Sequence, residues 1–420
     1  FTDIQWINPE DPLSGMKGNI RIREGVVQEW GPHLKPLKDE TVVEGKNAFC
    51  SPGWVDLKTR IGAPGRPQNE SLDSLFRAAA AGGYTHLLVY PDTKSIIQST
   101  ESVHYYSTLV NDQGIQVLVA AAGSLNLEGK KMSEMLTLRK AGAVAFATVH
   151  SISDASFFSQ VLLYLRDTRT PLIHFPQDTS LGMGGQIHEG EVSDRRGLAG
   201  IPEVAETIIL NRDIELAEFT GGTLHISSLS SPKSVEAVSR ARANGILISA
   251  DLAAHQLAFT DEALDNFDTT YKVLPPFRSE EHRQGLVKAI QSNNVQAIVS
   301  DHSPWHYDFK ECEFDLAEFG ISSLETTFST LNTYAESIEP ELIVQLLANG
   351  PRKILNLNLP MLQPGLPADF TLFDTNRSWV PSIKNWQSKS KNNPFFGKKL
   401  KGLVIGIVTQ TGFTPNPHAE

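Results

Sequence analysis

Lys58 and Arg60 stand two residues apart in SPGWVDLKTRIGAPG (residues 51–65), where apolar Trp54, Val55 and Leu57 mark a buried strand. A period of two aims both side chains at one face of that strand. Two full positive charges there hold a carboxylate or phosphate, or neutralise carboxylates already present. They make a poor metal site, because guanidinium has no lone pair to donate and an ammonium must first lose its proton. Other apolar runs end in residues of complementary chemistry: Asp92 in THLLVYPDT, His174 in TPLIHF, and Asp301 with His302 in VQAIVSDHS. Asp301 is the natural counter-ion of Lys58 or Arg60. His174 is a lone histidine at a strand end, where hydrogen-bonded structure competes with metal ligation. His150, His188, His255 and His306 follow no ligand spacing.

These residues need elements that bring them together. Strand-like runs occur at 85–93, 115–122, 142–148, 170–175, 221–230, 245–252 and 295–303, with WVDL before them. Segments 71–83, 202–219 and 231–245 between them read as helices, the last with a Ser-Pro start and a Gly stop. Eight β/α alternations predict a TIM-like (β/α)8 barrel over residues 51–361, with its polar strand ends converging at one face. An open doubly wound sheet is the alternative, but no GxGxxG follows a first strand. Residues 1–50 and 362–420 are short strands between turns, and neither end can bury a face alone. Together they predict a small composite β-sandwich. The basic run SKSKNNPFFGKK (388–399) reads as a solvated loop.

The 420-residue chain carries a net charge of −11, which argues against nucleic-acid or anionic-membrane binding. No apolar run approaches the roughly 20 residues that span a bilayer, and a signal-peptide pattern is not visible. Cys50 and Cys312 are the two cysteines, far apart and in no metal or redox spacing, so a cytoplasmic setting without disulfides is expected.

The motifs PGWVDLKTR, YPDT, GAVAF, LIH, HEGEVS, TGGTLHIS, LPPFR, SDHSPW, NGPRKIL and PGLPADFTLFD occur in the order and approximate spacing of the dihydroorotases. The chain resembles these members of the cyclic-amidohydrolase branch of the amidohydrolase superfamily along essentially its whole length. The resemblance implies a barrel with a composite β-sandwich, and one or two zinc ions activating the water that opens a cyclic amide.

The motif interiors depart from that pattern. Where the resemblance implies a His-x-His metal pair, the chain has Lys58 and Arg60. The substrate arginine and its neighbouring glutamate are Gly62 and Ala63; the substrate asparagines are Asp92 and Leu274. The bridging carboxylate falls near Thr148 and Val149, the strand-six ligand aligns with Ser228, and a second strand-eight histidine is Trp305. Only His174 and Asp301 remain as ligand positions, Asp301 as an idle general base. Two such ligands do not hold a catalytic zinc. Lys58 and Arg60 are therefore expected to replace lost metal charge by pairing with Asp301 and Asp92.

Three functions follow as expectations. The first is a non-catalytic dihydroorotase homologue without cofactor, serving as a structural or regulatory subunit. The resemblance implies aspartate transcarbamoylase as its partner, and a homo-oligomer is also expected. The second is an active dihydroorotase with zinc or a rearranged site, Ser228 acting with His225 or His302. On a strand His225, three residues before Ser228, faces the opposite side, which argues against that pair. The third is a sensor whose Lys58 and Arg60 hold an anion.

Overall fold

The computed structural model describes residues 1–264, 266–335 and 337–419. Eight parallel strands form the expected barrel: β1 (Trp54–Thr59), β2 (Tyr84–Val89), β3 (Gln116–Ala122), β4 (Ala143–Ala147), β5 (Leu172–His174), β6 (Leu224–Ile226), β7 (Ile248–Ala253) and β8 (Ala297–Val299). Val55, Leu57, Leu88, Ala145, Ile173 and Val299 fill the interior. Their alternates, among them Leu87, Phe146, Leu172 and Leu224, pack outward against helices. Helix α1 (Leu72–Gly82) starts where Ser71 caps the Ser74 N–H and stops at Gly83, whose φ of 88° is left-handed. Helices α2 (Ala155–Leu165), α3 (Glu203–Thr220) and α4 (Pro232–Ala243) cover the β4–β7 side.

The ring closes between β8 and β1 largely through one carboxylate. Asp56 is fully buried; its Oδ1 accepts the Ser300 N–H at 2.8 Å, and its Oδ2 accepts from the Ser300 and Thr59 hydroxyls. Beyond it, the Arg60 N–H reaches the His302 carbonyl at 2.9 Å and the His302 N–H reaches the Lys58 carbonyl at 3.2 Å. Burial pushes the Asp56 carboxyl above its ordinary pKa, against the pull of these hydrogen bonds.

Both ends of the chain build a second, seven-stranded mixed sheet. Strand Glu44–Pro52 pairs with Thr2–Trp6 in parallel and with Phe370–Trp379 antiparallel, joining the two termini. Its core holds Ile4, Trp6, Cys50, Phe370 and Val408. Arg352 ties this sheet to the barrel, donating to the Gly53 carbonyl and to Asp369 at 2.6 Å. No helix among the described residues is long and apolar enough to cross a membrane.

Two expectations need correction. The strands expected at 221–230 and 295–303 end at Ile226 and Val299, and Ser228 and Asp301 follow with φ of 58° and 51°. Left-handed residues turn the chain over the rim, so period-two reasoning stops there. Nor is 388–399 a solvated loop: Ser388, Ser390, Asn392 and Asn393 are buried. Ser388 donates to Glu70, Ser390 to the Asn69 carbonyl, and Asn392 to the Ser303 and Gly320 carbonyls at 3.0 Å each. The segment straps the terminal sheet to the barrel mouth.

Candidate functional site at the barrel mouth

Lys58 leaves the end of β1 inside the barrel, about 5% exposed. Its Nζ lies 3.0 Å from Asp301 Oδ1 and donates to Ser228 Oγ at 2.8 Å. The Phe175 ring covers it, with its centroid at 5.5 Å. Arg60, one turn of the strand further out, donates from Nε to Asp92 Oδ2 at 2.7 Å and from Nη1 to Ser303 Oγ at 2.6 Å. Burial opposes the Arg60 charge, but Asp92 and Asp301 outweigh it and hold its pKa above the ordinary arginine value. Two cations thus sit on two carboxylates at the mouth of a cavity of about 410 Å³.

Ser228 is held by its backbone rather than poised for attack. Its N–H donates to Asp251 Oδ1 at 2.6 Å. Asp251 Oδ2 takes the Nε2 proton of His225 at 2.8 Å, leaving His225 Nδ1 to accept from Ser249 at 2.8 Å. Both His225 nitrogens are therefore occupied, neither by Ser228.

His174 and His302, grouped with this pocket by sequence, lie outside it. Ile173 points into the barrel, so His174 points out, fully buried between β5 and the helices. The Ile152 N–H donates to its Nε2 at 3.1 Å, which puts the proton on Nδ1 facing Asp213 Oδ2 at 2.7 Å. Phe158 of α2 packs on the ring at 4.7 Å. With that lone pair in use, His174 serves here as a structural histidine. His302 accepts the Ser323 N–H at Nδ1 (3.1 Å) and turns Nε2 to Glu70, 3.4 Å away. Burial alone raises the Glu70 carboxyl; His302, Ser388 and Ser74 outweigh it and hold it below the usual range.

The other histidines do not converge. His188 lies 3.2 Å from Arg278 Nη1, and burial with that cation lowers it to about 4. His306 pairs with Asp308 at 3.0 Å, and His150 sits exposed at the cavity rim. His255, after β7, is 2% exposed and has no hydrogen-bond partner on either ring nitrogen among the described residues. Burial lowers it to about 4, with Asp301 opposing and Lys58 reinforcing. Sequence reasoning missed the cavity's aromatic walls, Tyr90, Phe175 and Phe319, and its rim cations Arg66 and Lys94. Aromatic residues at strand ends read equally well as core, so no local signal marked them.

A zinc centre does not fit these side chains. No three His, Cys, Asp or Glu residues among the described residues are grouped to hold a metal ion. Lys58 Nζ itself fills the space between Asp301 and Ser228, two positions that would face a metal.

Comparison with known proteins agrees with the fold. Residues 48–234 match the family model described as dihydro-orotase-like. A dihydroorotase of Syntrophus aciditrophicus (strain SB) is 35% identical over 409 residues, covering 96% of each chain. A dihydroorotase of Caldanaerobacter subterraneus subsp. tengcongensis is 33% identical, covering 92% of this chain and 91% of that protein. A dihydroorotase-like protein of Pseudomonas aeruginosa is 33% identical, covering 96% and 97%. Among solved structures, the L-hydantoinase of Arthrobacter aurescens superposes with a TM-score of 0.86 at 18% identity, covering 100% of this chain and 96% of that one. That last likeness concerns the fold. With a barrel closed by Asp56, a sheet shared by both termini and relatives matched end to end, the chain belongs to the dihydroorotase family.

Proposed function

We propose that this chain is a dihydroorotase-family protein that has given up ring opening and acts in the cytoplasm as a structural or regulatory subunit. Aspartate transcarbamoylase is the partner expected from the family resemblance, and self-association accompanies it. One observation carries the reading: an internal ammonium, Lys58 Nζ, bridges Asp301 and Ser228 where a hydrolytic metal would need their ligands. A carboxylate committed to a buried ammonium is poorly placed to take a proton as a general base.

The relatives named dihydroorotase favour a second reading, hydrolysis of dihydroorotate to N-carbamoyl-aspartate with zinc. A metal-free version is disfavoured by geometry. Lys58 donates to Ser228 while paired with Asp301, and neither His225 nor His302 reaches that hydroxyl. The test is turnover of dihydroorotate by purified chain with and without added zinc, alongside metal content. No turnover and no stoichiometric zinc is the expected result; zinc-dependent hydrolysis replaces the first reading with the second. Co-elution with aspartate transcarbamoylase tests the partner separately.

A further inference from the structure

Two buried carboxylates from different elements hold the strap that crosses the barrel mouth. Glu70 accepts the Ser388 hydroxyl, and the Lys389 N–H at 2.9 Å. Glu325, in the short turn Leu324–Thr326, accepts the Gln387 N–H at 3.0 Å and the Ser388 N–H at 2.9 Å. Glu325 also serves the far end of the chain. His418 Nε2 lies 2.6 Å from its Oε2, with neither side chain more than 4% exposed. The His418 ring stacks on Trp379 at 4.7 Å. Asn416 anchors the tail beside it, donating to the Ala81 carbonyl of α1 at 3.0 Å and to the Val404 carbonyl at 2.7 Å. Its Oδ1 accepts the His418 N–H at 3.0 Å.

Four residues beyond Ser388, the strap reaches the cavity. Asn392 Nδ2 donates to the Ser303 and Gly320 carbonyls, and its Oδ1 accepts the Trp305 N–H at 3.2 Å. Ser303, Trp305 and Gly320 all line the cavity, so one side chain ties together two loops of its wall. Buried contacts of this kind resist being broken singly, because each break strands a polar group. We infer that tail and strap form a latch on the barrel mouth. His418 fixes Glu325, Glu325 fixes the strap, and Asn392 fixes the wall, so release of the tail loosens the wall. His418 is a positioning residue here, since it does not line the cavity. The latch goes beyond the proposed function and holds whether or not the chain hydrolyses dihydroorotate.

Hydrogen exchange read by mass spectrometry on the whole chain tests it. His418→Phe keeps a ring for Trp379 and removes the donor to Glu325. Amides at 386–393, 303–305 and 318–320 should then exchange about tenfold faster, while β5 and β6 keep the parent rate. His418→Gln, which returns a donor, should restore most of the protection. Asn392→Ala should speed exchange at 303–305 and 318–320 and leave 416–419 unchanged, which sets the direction from tail to wall. The latch is overturned if His418→Phe leaves the strap unchanged, or loosens the strap without the two wall loops. It is equally overturned if β5 and β6 accelerate as much, as a general loss of stability requires, or if the Gln variant exchanges like the Phe variant.

Discussion

Two regions of the rim bury lysines in opposite ways. At the end of β1, Lys58 faces a carboxylate, Asp301, and a hydroxyl. In the loops beside the cavity, Lys272 and Lys310 face backbone carbonyls. Lys272 donates to Phe314 and Asp315 at 2.7 and 3.1 Å, and Lys310 to Glu318 and Gly320 at 2.7 and 3.2 Å. Neither of these two forms an ion pair among the described residues. Carbonyls solvate an ammonium without cancelling its charge, so burial, with Lys272 adding repulsion, pulls Lys310 down to about 7. The lesson is that the Lys58 region is built around an anion, whereas the Lys272 and Lys310 region is built around a loop. Asp301 is the fixed point of the first; the lysine is what accommodates it.

That contrast breaks most visibly at Lys58. Replacing it by Met removes the one cation in direct contact with buried Asp301 among the described residues, and should cost about 3–5 kcal/mol of unfolding free energy in urea. The double variant Lys58→Met with Asp301→Asn should recover most of that loss, because the charge needing compensation goes too. A single variant as stable as the parent would mean the pair is not what shapes this region.

The carbonyl-bound lysine Lys310 has a signature with pH. Its folded pKa of about 7 lies below the ordinary 10.5, so across that window the unfolded chain holds a proton that the folded one has released. Stability should therefore rise with pH between these values, by up to about 1.4 kcal/mol per unit. Lys310→Met should flatten that rise in denaturation curves taken from neutral to alkaline pH. His255 is a third case, buried with no hydrogen-bond partner on either ring nitrogen among the described residues. Its folded value of about 4 lies below 6.5, so stability is lost as pH falls through that interval, again by at most about 1.4 kcal/mol per unit. His255→Leu should flatten the acid limb, leaving the part contributed by His188, which is lowered to about 4 as well.

Why some of this was legible in sequence and some was not comes down to range. Helix α1 announces itself through Ser71 and Gly83, which act on backbone within one turn. The pairing of Lys58 and Arg60 with Asp301 and Asp92 was legible because strand ends of one barrel must meet. The orientation of His174 was not. Its partner, Asp213, sits 39 residues later on α3, and a three-residue strand carries too little alternation to choose a face. Ser228 was placed by a period that had ended at Ile226. The strap at 388–393 looked polar and solvated because its partners, Glu70 and Asn69, are more than 300 residues away. Such polar burial leaves no local pattern.

Arg60 sharpens the comparison from its mild side. Like Lys58 it meets a carboxylate, but a third of its side chain is solvated, so water shares the work of compensating Asp92. Arg60→Gln keeps a donor near Ser303 and exposes Asp92 to more water, so the expected loss is only about 1 kcal/mol. Raising salt should narrow the gap between Arg60→Gln and the parent while leaving the gap for Lys58→Met nearly unchanged, because screening reaches exposed pairs and not buried ones. Urea titrations at low and high salt read both gaps directly. Equal salt sensitivity at the two sites would show that the cavity is wetter than its geometry indicates, and that Lys58, too, is compensated by solvent.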